Sequence, residues 1–113
     1  MATRPPCAAD HAAPHTALKR AIKDYLLWHG AYVIDQLGAL GQVRGLADLT
    51  VCLQGRAIFI EVKTGKGKLG VDQIKQRDLA LAAGGLFIEA RSVADVEDAL
   101  VDAGLVRIRR LMR

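Results

Sequence analysis

Cysteine and long apolar runs are scarce in this chain of 113 residues, and each of these two shortages excludes a class of protein. The two cysteines, Cys7 and Cys52, form neither a disulfide framework nor a metal-binding spacing, so a reducing intracellular setting is expected. No apolar stretch approaches the roughly 18 residues of a membrane span, and the N-terminus lacks the apolar core of a signal peptide. We therefore expect a soluble, cytoplasmic protein without a membrane partner.

Proline is confined to the first 14 residues, which we interpret as a flexible N-terminal arm. Residues 15–104 then form one domain, built around a modest core that is rich in aliphatic side chains. Residues 105–113 alternate apolar and basic residues, a pattern typical of a short edge strand or a covering arm. The net charge of +4 and the pI near 9.4 favour a polyanionic partner.

The hydrophobic periodicity predicts the element order α-β-β-β-α-β-α. Tyr25 and Trp28 fall on the apolar arc of the first helix and are predicted to lie in the core. Ser92 and Asp95 form a capping-box-like start to the last helix. The predicted helices cover about residues 15–29, 71–83 and 93–103, and the predicted strands about 31–36, 48–53, 56–63 and 86–90, with a glycine-punctuated loop over 37–45.

Two acids and a lysine interrupt the apolar strand patterns in the middle of the chain. Asp48 lies in the run Gly45-Leu-Ala-Asp-Leu-Thr-Val, and Glu61 and Lys63 lie in Ile58-Phe-Ile-Glu-Val-Lys-Thr. Strand alternation places Glu61 and Lys63 on one face and the neighbouring aliphatic residues on the other. Charged side chains in such runs are usually paired or bound to a metal.

Gln54-Gly55 between these two strands is a plausible two-residue hairpin loop. If Leu53 and Arg56 flank that loop, opposed residue numbers sum to 109 and Asp48 lies opposite Glu61. A four-residue loop keeps this pairing, whereas a three-residue loop sends the two acids to opposite faces. Opposed residues have Cβ atoms about 4.5–5.5 Å apart, so the two negative charges would repel. A divalent cation with oxygen ligands is the simplest compensation.

The arrangement resembles the catalytic core of the PD-(D/E)XK nucleases, and within them the VRR-NUC family of virus-type replication-repair nucleases. The resemblance extends from about Leu18 to Leu100. It implies an α/β, restriction-endonuclease-like fold, in which a mixed central sheet is flanked by helices in the order αβββαβ, followed by a C-terminal helix. Its matching pieces are Gly45-x-x-Asp48, Glu61-x-Lys63, the loop Thr64–Leu69, Gln73 at the start of a helix, and Gly84-Gly85 before an apolar strand.

The resemblance also implies metal-dependent hydrolysis of DNA phosphodiesters. Asp48 and Glu61 would be metal ligands, with the Val62 carbonyl a possible third. Lys63 would polarise the attacking water or steady the charged phosphorane, and Gln73 would help to orient water or phosphate. Mg²⁺ is the implied cofactor, with Mn²⁺ as a substitute, because a hard cation takes oxygen ligands.

Basic residues near this motif are candidates for contact with nucleic acid. Lys66 and Lys68 lie in a glycine-containing loop directly after Lys63, and Arg44 lies just before the Gly45 motif. Cationic contacts with the phosphate backbone supply most of the sequence-independent affinity for DNA. Stand-alone members of the family resemble junction-resolving dimers, so branched DNA and a homodimer are expected.

The sequence departs from the family pattern at two places. Ala47 stands where many members have proline, which is a mild change. Relatives usually carry a glutamate near the start of the first helix that reaches the metal site, and residues 15–20 contain no acid. His15 is a weak candidate to replace it, because neither it nor the other histidines has a metal-ligand spacing. The missing glutamate argues against a second metal site more than against the first.

Each feature also has a structural interpretation. The trio of Asp48, Glu61 and Lys63 could be an ion-pair network on a half-exposed sheet face, and Gln73 could be a solvated residue at a helix start. Cys52 faces the same way as Asp48, but a small space-filling residue is its simpler interpretation. The alternative to a nuclease is a non-catalytic nucleic-acid-binding module that retains the nuclease fold, a hypothesis suggested by the missing helix glutamate.

Overall fold

The computed structural model describes residues 13–36 and 43–107, and the elements in these ranges follow the predicted order. Ser92 caps the last helix by accepting a hydrogen bond from the Asp95 amide at 3.1 Å, which confirms the predicted cap. The elements are α1 (Pro14–Trp28), β1 (Tyr32–Asp35), β2 (Leu49–Leu53), β3 (Arg56–Val62), α2 (Val71–Ala82), β4 (Leu86–Ala90) and α3 (Val93–Asp102).

The four strands form one mixed sheet in the order β1-β2-β3-β4. β1, β2 and β3 pair antiparallel, whereas β4 lies parallel to β3 after a crossover through α2. A parallel neighbour requires such a crossover, because a tight hairpin can only reverse the chain. The crossover returns the chain from the end of β3 to the start of β4, and it thereby carries the first turn of α2 past the end of β3.

The hairpin between β2 and β3 has the two-residue loop that the sequence predicts. Gln54 and Gly55 have φ angles of 54° and 76°, and two successive positive φ values define a type I′ turn. Leu53 pairs with Arg56 and Leu49 with Ile60, so opposed residue numbers sum to 109 as expected. This register is what brings the two acidic motifs to the same end and the same face of the hairpin.

One face of the sheet forms the core together with α1 and α3. Alternate residues of β2 and β3 point into it and are buried, while the residues between them face the other side. The second face is covered only in part, because α2 packs across β4 and contains no buried residue. The largest fully buried side chains are Ile22, Leu26, Leu49, Val51, Ile58, Ile60, Val62, Val96 and Leu100.

The prediction that Trp28 lies in the core is wrong. Its side chain is 83% exposed at the last residue of α1, whereas Tyr25 is partly buried and packs against the core. Residues 105–107 form no strand, and the predictions for residues 1–12, 37–42 and 108–113 fall outside the described residues. Among the described residues, none of the helices has both the length and the apolar character that crossing a bilayer requires.

An ion-pair cluster ties the middle of α1 to the edge strand β1. Asp35 accepts hydrogen bonds from Lys19 at 3.0 Å and from Lys23 at 3.2 Å. Burial alone would raise the pKa of Asp35, but the hydrogen bonds and charges of the two lysines outweigh it and hold that pKa below its ordinary value. The cluster therefore stabilises the fold above the ordinary pKa of aspartate, and this contribution is lost as the pH falls through the lowered value.

We expect Asp35→Asn to lower the free energy of unfolding by about 1 kcal/mol at neutral pH. The difference from wild type should shrink in acid, because both proteins then lack the charge. Urea unfolding at several pH values measures it. Asp78→Asn is the control, since the Arg77–Asp78 pair is much more exposed and should contribute little. Equal effects of the two substitutions at neutral pH would contradict this account of the cluster.

Candidate active site

Asp48 lies directly before β2, one step beyond the Leu49–Ile60 pair of the hairpin. Its carbonyl accepts a hydrogen bond from the Gln36 amide at 2.8 Å, which extends the pairing with β1. Its carboxylate oxygen Oδ2 accepts a hydrogen bond from the Val62 amide at 2.8 Å. The side chain is thus anchored to β3, next to Glu61, as the register requires.

Glu61 is a buried carboxylate, with a relative exposure of only 4%. Its Oε2 accepts a hydrogen bond from Gln73 Nε2 at 2.6 Å and lies 3.4 Å from Lys63 Nζ. Burial and then the nearby charge of Asp48 raise the pKa of Glu61, and Lys63 offsets this only in part. A buried acid beside a second acid lacks sufficient positive charge, which is the condition that a bound cation would relieve.

Gln73 lies in the first turn of α2, and its amide group has contacts at both ends. The Oε1 atom accepts a hydrogen bond from the Gly70 amide at 2.9 Å and thereby caps the helix. The Nε2 atom donates to Glu61. Helix capping fixes the orientation of the side-chain amide, so the structure places Gln73 within the acidic cluster and not in solvent.

Gly45 explains why the segment before Asp48 lies so close to α2. Its φ angle is 80°, and a Cβ atom built there would lie 2.3 Å from the Asp72 carbonyl carbon and 2.7 Å from the Gln73 amide nitrogen. A side chain is excluded both by the backbone conformation and by this contact. The Gly45-x-x-Asp48 motif therefore brings the chain against the first turn of α2 before it enters β2.

His15, a weak candidate from the sequence to replace the missing helix glutamate, lies at this site. Its Nε2 atom is 3.3 Å from Asp48 Oδ2, and the side chain is 40% exposed. The two residues are 33 positions apart, and no spacing rule links them. The one available signal is its position near the start of α1, where the family resemblance places a metal-site glutamate.

The basic loop, residues 65–68, follows Lys63 and is held by Arg91. The Arg91 guanidinium donates to the Gly65 carbonyl at 3.0 Å, to the Gly67 carbonyl and to Glu89 at 2.9 Å. A Cβ atom built at Gly67 would lie 3.6 Å from Lys63 Cδ, so the loop runs beside that lysine. The predicted contact residues Lys66 and Lys68 are exposed on it, and Arg44 is exposed next to Gly45. No pattern in the sequence predicts that Arg91 contacts this loop.

Replacing Lys66 and Lys68 together by methionine should flatten the slope of log affinity for DNA against log salt by up to about two units. Each phosphate contact releases counterions, and the slope counts these contacts. Fluorescence anisotropy with a labelled duplex over a salt series measures the slope. The matched control replaces Arg20 and Arg107, which are exposed elsewhere. An unchanged slope in the loop variant would exclude the loop from contact with DNA.

The donors at the site fit a hard divalent cation. Among residues 13–36 and 43–107, no three His, Cys, Asp or Glu side chains form a ready-made metal cluster. The Glu61 carboxylate contacts Lys63 and Gln73. Mg²⁺ is usually held by one or two carboxylates together with waters and substrate phosphates, so it does not require such a cluster. Asp48 and Glu61 provide the two carboxylates.

Comparison with known proteins bears on the fold. The chain is similar to a solved structure described as a VRR_NUC domain, with a TM-score of 0.67 and 25% sequence identity over 80% of this chain and 97% of that one. Neither the family models nor the curated proteins gave a match. The mixed sheet and its helices define an α/β nuclease fold of the PD-(D/E)XK type. Within that class, the similarity to this domain supports the VRR-NUC family. The predicted fold class and the predicted resemblance to the VRR-NUC family are confirmed.

Proposed function

We propose that this chain is a divalent-metal-dependent DNA endonuclease that hydrolyses phosphodiester bonds, with branched DNA as its preferred substrate. One observation carries the proposal. Asp48, Glu61 and Lys63 meet at one end of the β2–β3 hairpin, and Gln73 approaches them from α2. These are two carboxylates, an amine and an amide, which are the groups that metal-assisted phosphodiester hydrolysis uses.

Asp48 and Glu61 would hold Mg²⁺ or Mn²⁺, together with the Val62 carbonyl. The Val62 amide already donates to Asp48, so the backbone of this residue borders the carboxylates. The ion would lower the pKa of a bound water and neutralise charge on the phosphate, contributions worth several kcal/mol in general. Without the ion, the same carboxylates would repel a phosphodiester.

Lys63 and Gln73 would act on the water and the phosphate. The Lys63 ammonium is a compact positive charge that does not compete for the cation as an oxygen ligand would. It lies 3.4 Å from Glu61, so it can polarise a water held at that carboxylate or steady the charged phosphorane. The Gln73 amide, oriented by its cap on α2, would help to place the water or the phosphate.

Exposed basic residues on both sides of these groups would bind the DNA backbone. Lys66 and Lys68 follow Lys63 in the basic loop, and Arg44 precedes the Gly45 contact with α2. Symmetric cleavage of a four-way junction requires two sites, so we include a homodimer in the proposal. Because the substrate is DNA, the protein would act inside the cell.

The second candidate function is a non-catalytic DNA-binding module. It is favoured by one observation: the first turn of α1 contains no acidic residue, so α1 brings a histidine and not a carboxylate toward Asp48. A site with fewer oxygen ligands holds Mg²⁺ less tightly, and such a fold could bind DNA without cutting it.

A nuclease assay separates the two functions. Purified protein is incubated with a four-way junction, a flap and a linear duplex of matched sequence, in Mg²⁺, in Mn²⁺ and in a chelator. We expect metal-dependent cleavage that is fastest on the junction and is lost in Asp48→Ala, while DNA binding by that variant persists. Binding without cleavage under any of these ions would favour the module. Equal cutting of junction and duplex would contradict the preference for branched DNA.

A further inference from the structure

We propose that His15 is an additional ligand of the divalent cation, beside Asp48, Glu61 and the Val62 carbonyl, and that this nitrogen donor makes the site prefer Mn²⁺ or a similar transition-metal ion over Mg²⁺. The inference rests on the proposed metal site at Asp48 and Glu61. α1 would contribute an imidazole nitrogen, whereas Asp48 and Glu61 contribute carboxylate oxygens.

The distance between His15 and Asp48 is the one expected for neighbouring ligands of a single ion. His15 Nε2 lies 3.3 Å from Asp48 Oδ2. Two donors that each lie about 2.1 Å from an ion, at right angles to one another, are about 3 Å apart. The side chains are 40% and 20% exposed, so an ion can reach both from solvent. Glu61 does not form a three-ligand group with them as it stands, so its carboxylate would turn from Lys63 and Gln73 toward the ion.

Both partners are held in place by other contacts. The Val62 amide already fixes Asp48 Oδ2, so the imidazole is not required to orient that carboxylate. One turn further along α1, Lys19 is bound to Asp35 on β1, which holds the first turns of the helix against the sheet. His15 is thus presented to the site by a helix whose position is fixed independently of it.

The type of donor determines which ion fits. Mg²⁺ takes oxygen ligands almost exclusively, whereas imidazole suits transition-metal ions. A site with two carboxylates and one imidazole should therefore bind Mn²⁺ with a larger advantage over Mg²⁺ than a site made of oxygen ligands alone. Replacing His15 by glutamate should reverse this preference, because the same position then supplies an oxygen.

The test is pulsed electron paramagnetic resonance of bound Mn²⁺, in which a coordinated imidazole produces nitrogen modulation of the spin echo. Wild type should show this modulation, and so should His29→Gln, because His29 lies at the other end of α1 beside Tyr25. His15→Gln should lose the modulation, and its affinity for Mn²⁺ should fall by about tenfold or more. Circular dichroism confirms that each variant is folded.

His15→Glu provides the second arm of the test. It should restore affinity for Mn²⁺ without nitrogen modulation, and it should lower the ratio of Mn²⁺ affinity to Mg²⁺ affinity below that of wild type. Two results would overturn the role of His15 and leave the proposed function standing. One is Mn²⁺ that binds wild type without nitrogen modulation, and the other is modulation that survives in His15→Gln. Failure of wild type to bind Mn²⁺ would overturn both this inference and the proposed function.

Discussion

Lys63→Met is expected to slow cleavage of DNA by about 10²–10³-fold, the typical cost of removing one group that stabilises charge in a transition state. The side chain is 18% exposed, and its Nζ atom lies 3.4 Å from the Glu61 carboxylate. Methionine keeps an unbranched apolar side chain of similar length and removes only the charge. Because Lys63 is the charged partner of the buried Glu61, the metal-free variant should be less stable than wild type. DNA affinity should change little, and single-turnover cleavage of a junction by folded protein under saturating Mg²⁺ isolates the chemical step.

Lys75→Met is the matched control for this experiment. Lys75 is an exposed residue of α2, and it takes no part in the cluster around Glu61. The control should cleave at close to the wild-type rate. A Lys63→Met protein that cleaves within a few-fold of wild type would show that the lysine serves the fold and not the reaction. Loss of binding in parallel with cleavage would assign Lys63 to DNA affinity instead.

Glu61→Gln should abolish metal-dependent cleavage and at the same time stabilise the metal-free protein. The carboxylate is buried, and burial together with the charge of Asp48 raises its pKa. Its ionised form therefore costs folding free energy at neutral pH, which glutamine avoids while it can still accept the hydrogen bond from Gln73. We expect a gain of about 1 kcal/mol, within the usual range for stabilising changes at functional sites.

The stability gained in Glu61→Gln should depend on pH. When the pKa of a glutamate is higher in the folded protein than in the unfolded chain, the folded protein is most stable at a pH below the unfolded-state pKa, where the group is protonated in both states. This stability is lost as the pH rises through the folded-state pKa. The gain from Glu61→Gln should thus appear above about pH 4.5, the ordinary pKa of glutamate, and vanish below it. Unfolding in the presence of a chelator measures the gain.

Glu89→Gln serves as the control for stability. Glu89 lies beside Glu61 in the register of β3 and β4, but its side chain is 37% exposed and pairs with Arg91. Removing its charge should not stabilise the protein. A Glu61→Gln variant that is less stable than wild type at neutral pH would show that Lys63 and Gln73 already satisfy the carboxylate. No cation would then be needed at this site.

The hairpin shows how far sequence reasoning reaches in this chain. Gln54-Gly55 and the alternating strands on both sides predict the loop, the register and the face of each acid, because these features depend on neighbours along the chain. Once the register is known, the meeting of Asp48 and Glu61 follows. Gln73 could be placed at the site only through the family motif, since the crossover that brings α2 there is not a local feature.

Contacts between distant parts of the chain account for what the sequence did not predict. His15 reaches Asp48 through the packing of α1 on the sheet, and Arg91 reaches the basic loop across the end of β4. Neither residue has a local pattern that marks its partner. The prediction for Trp28 is wrong for a different reason. Trp28 lies on the apolar arc of α1, but the helix ends there and the core does not extend to it. Periodicity describes direction around a helix and not the extent of the surface that covers it.

Titration of Mn²⁺ into the metal-free protein tests most directly whether the hairpin carboxylates hold a cation. We compare wild type, the double variant Asp48→Asn with Glu61→Gln, and a control that carries Asp78→Asn with Asp98→Asn on exposed helix positions. Electron paramagnetic resonance of free Mn²⁺ reports binding in each case. We expect a saturable site in wild type and in the control, and no such site in the hairpin variant. Equal binding by all three proteins, or no binding by wild type, would contradict this expectation.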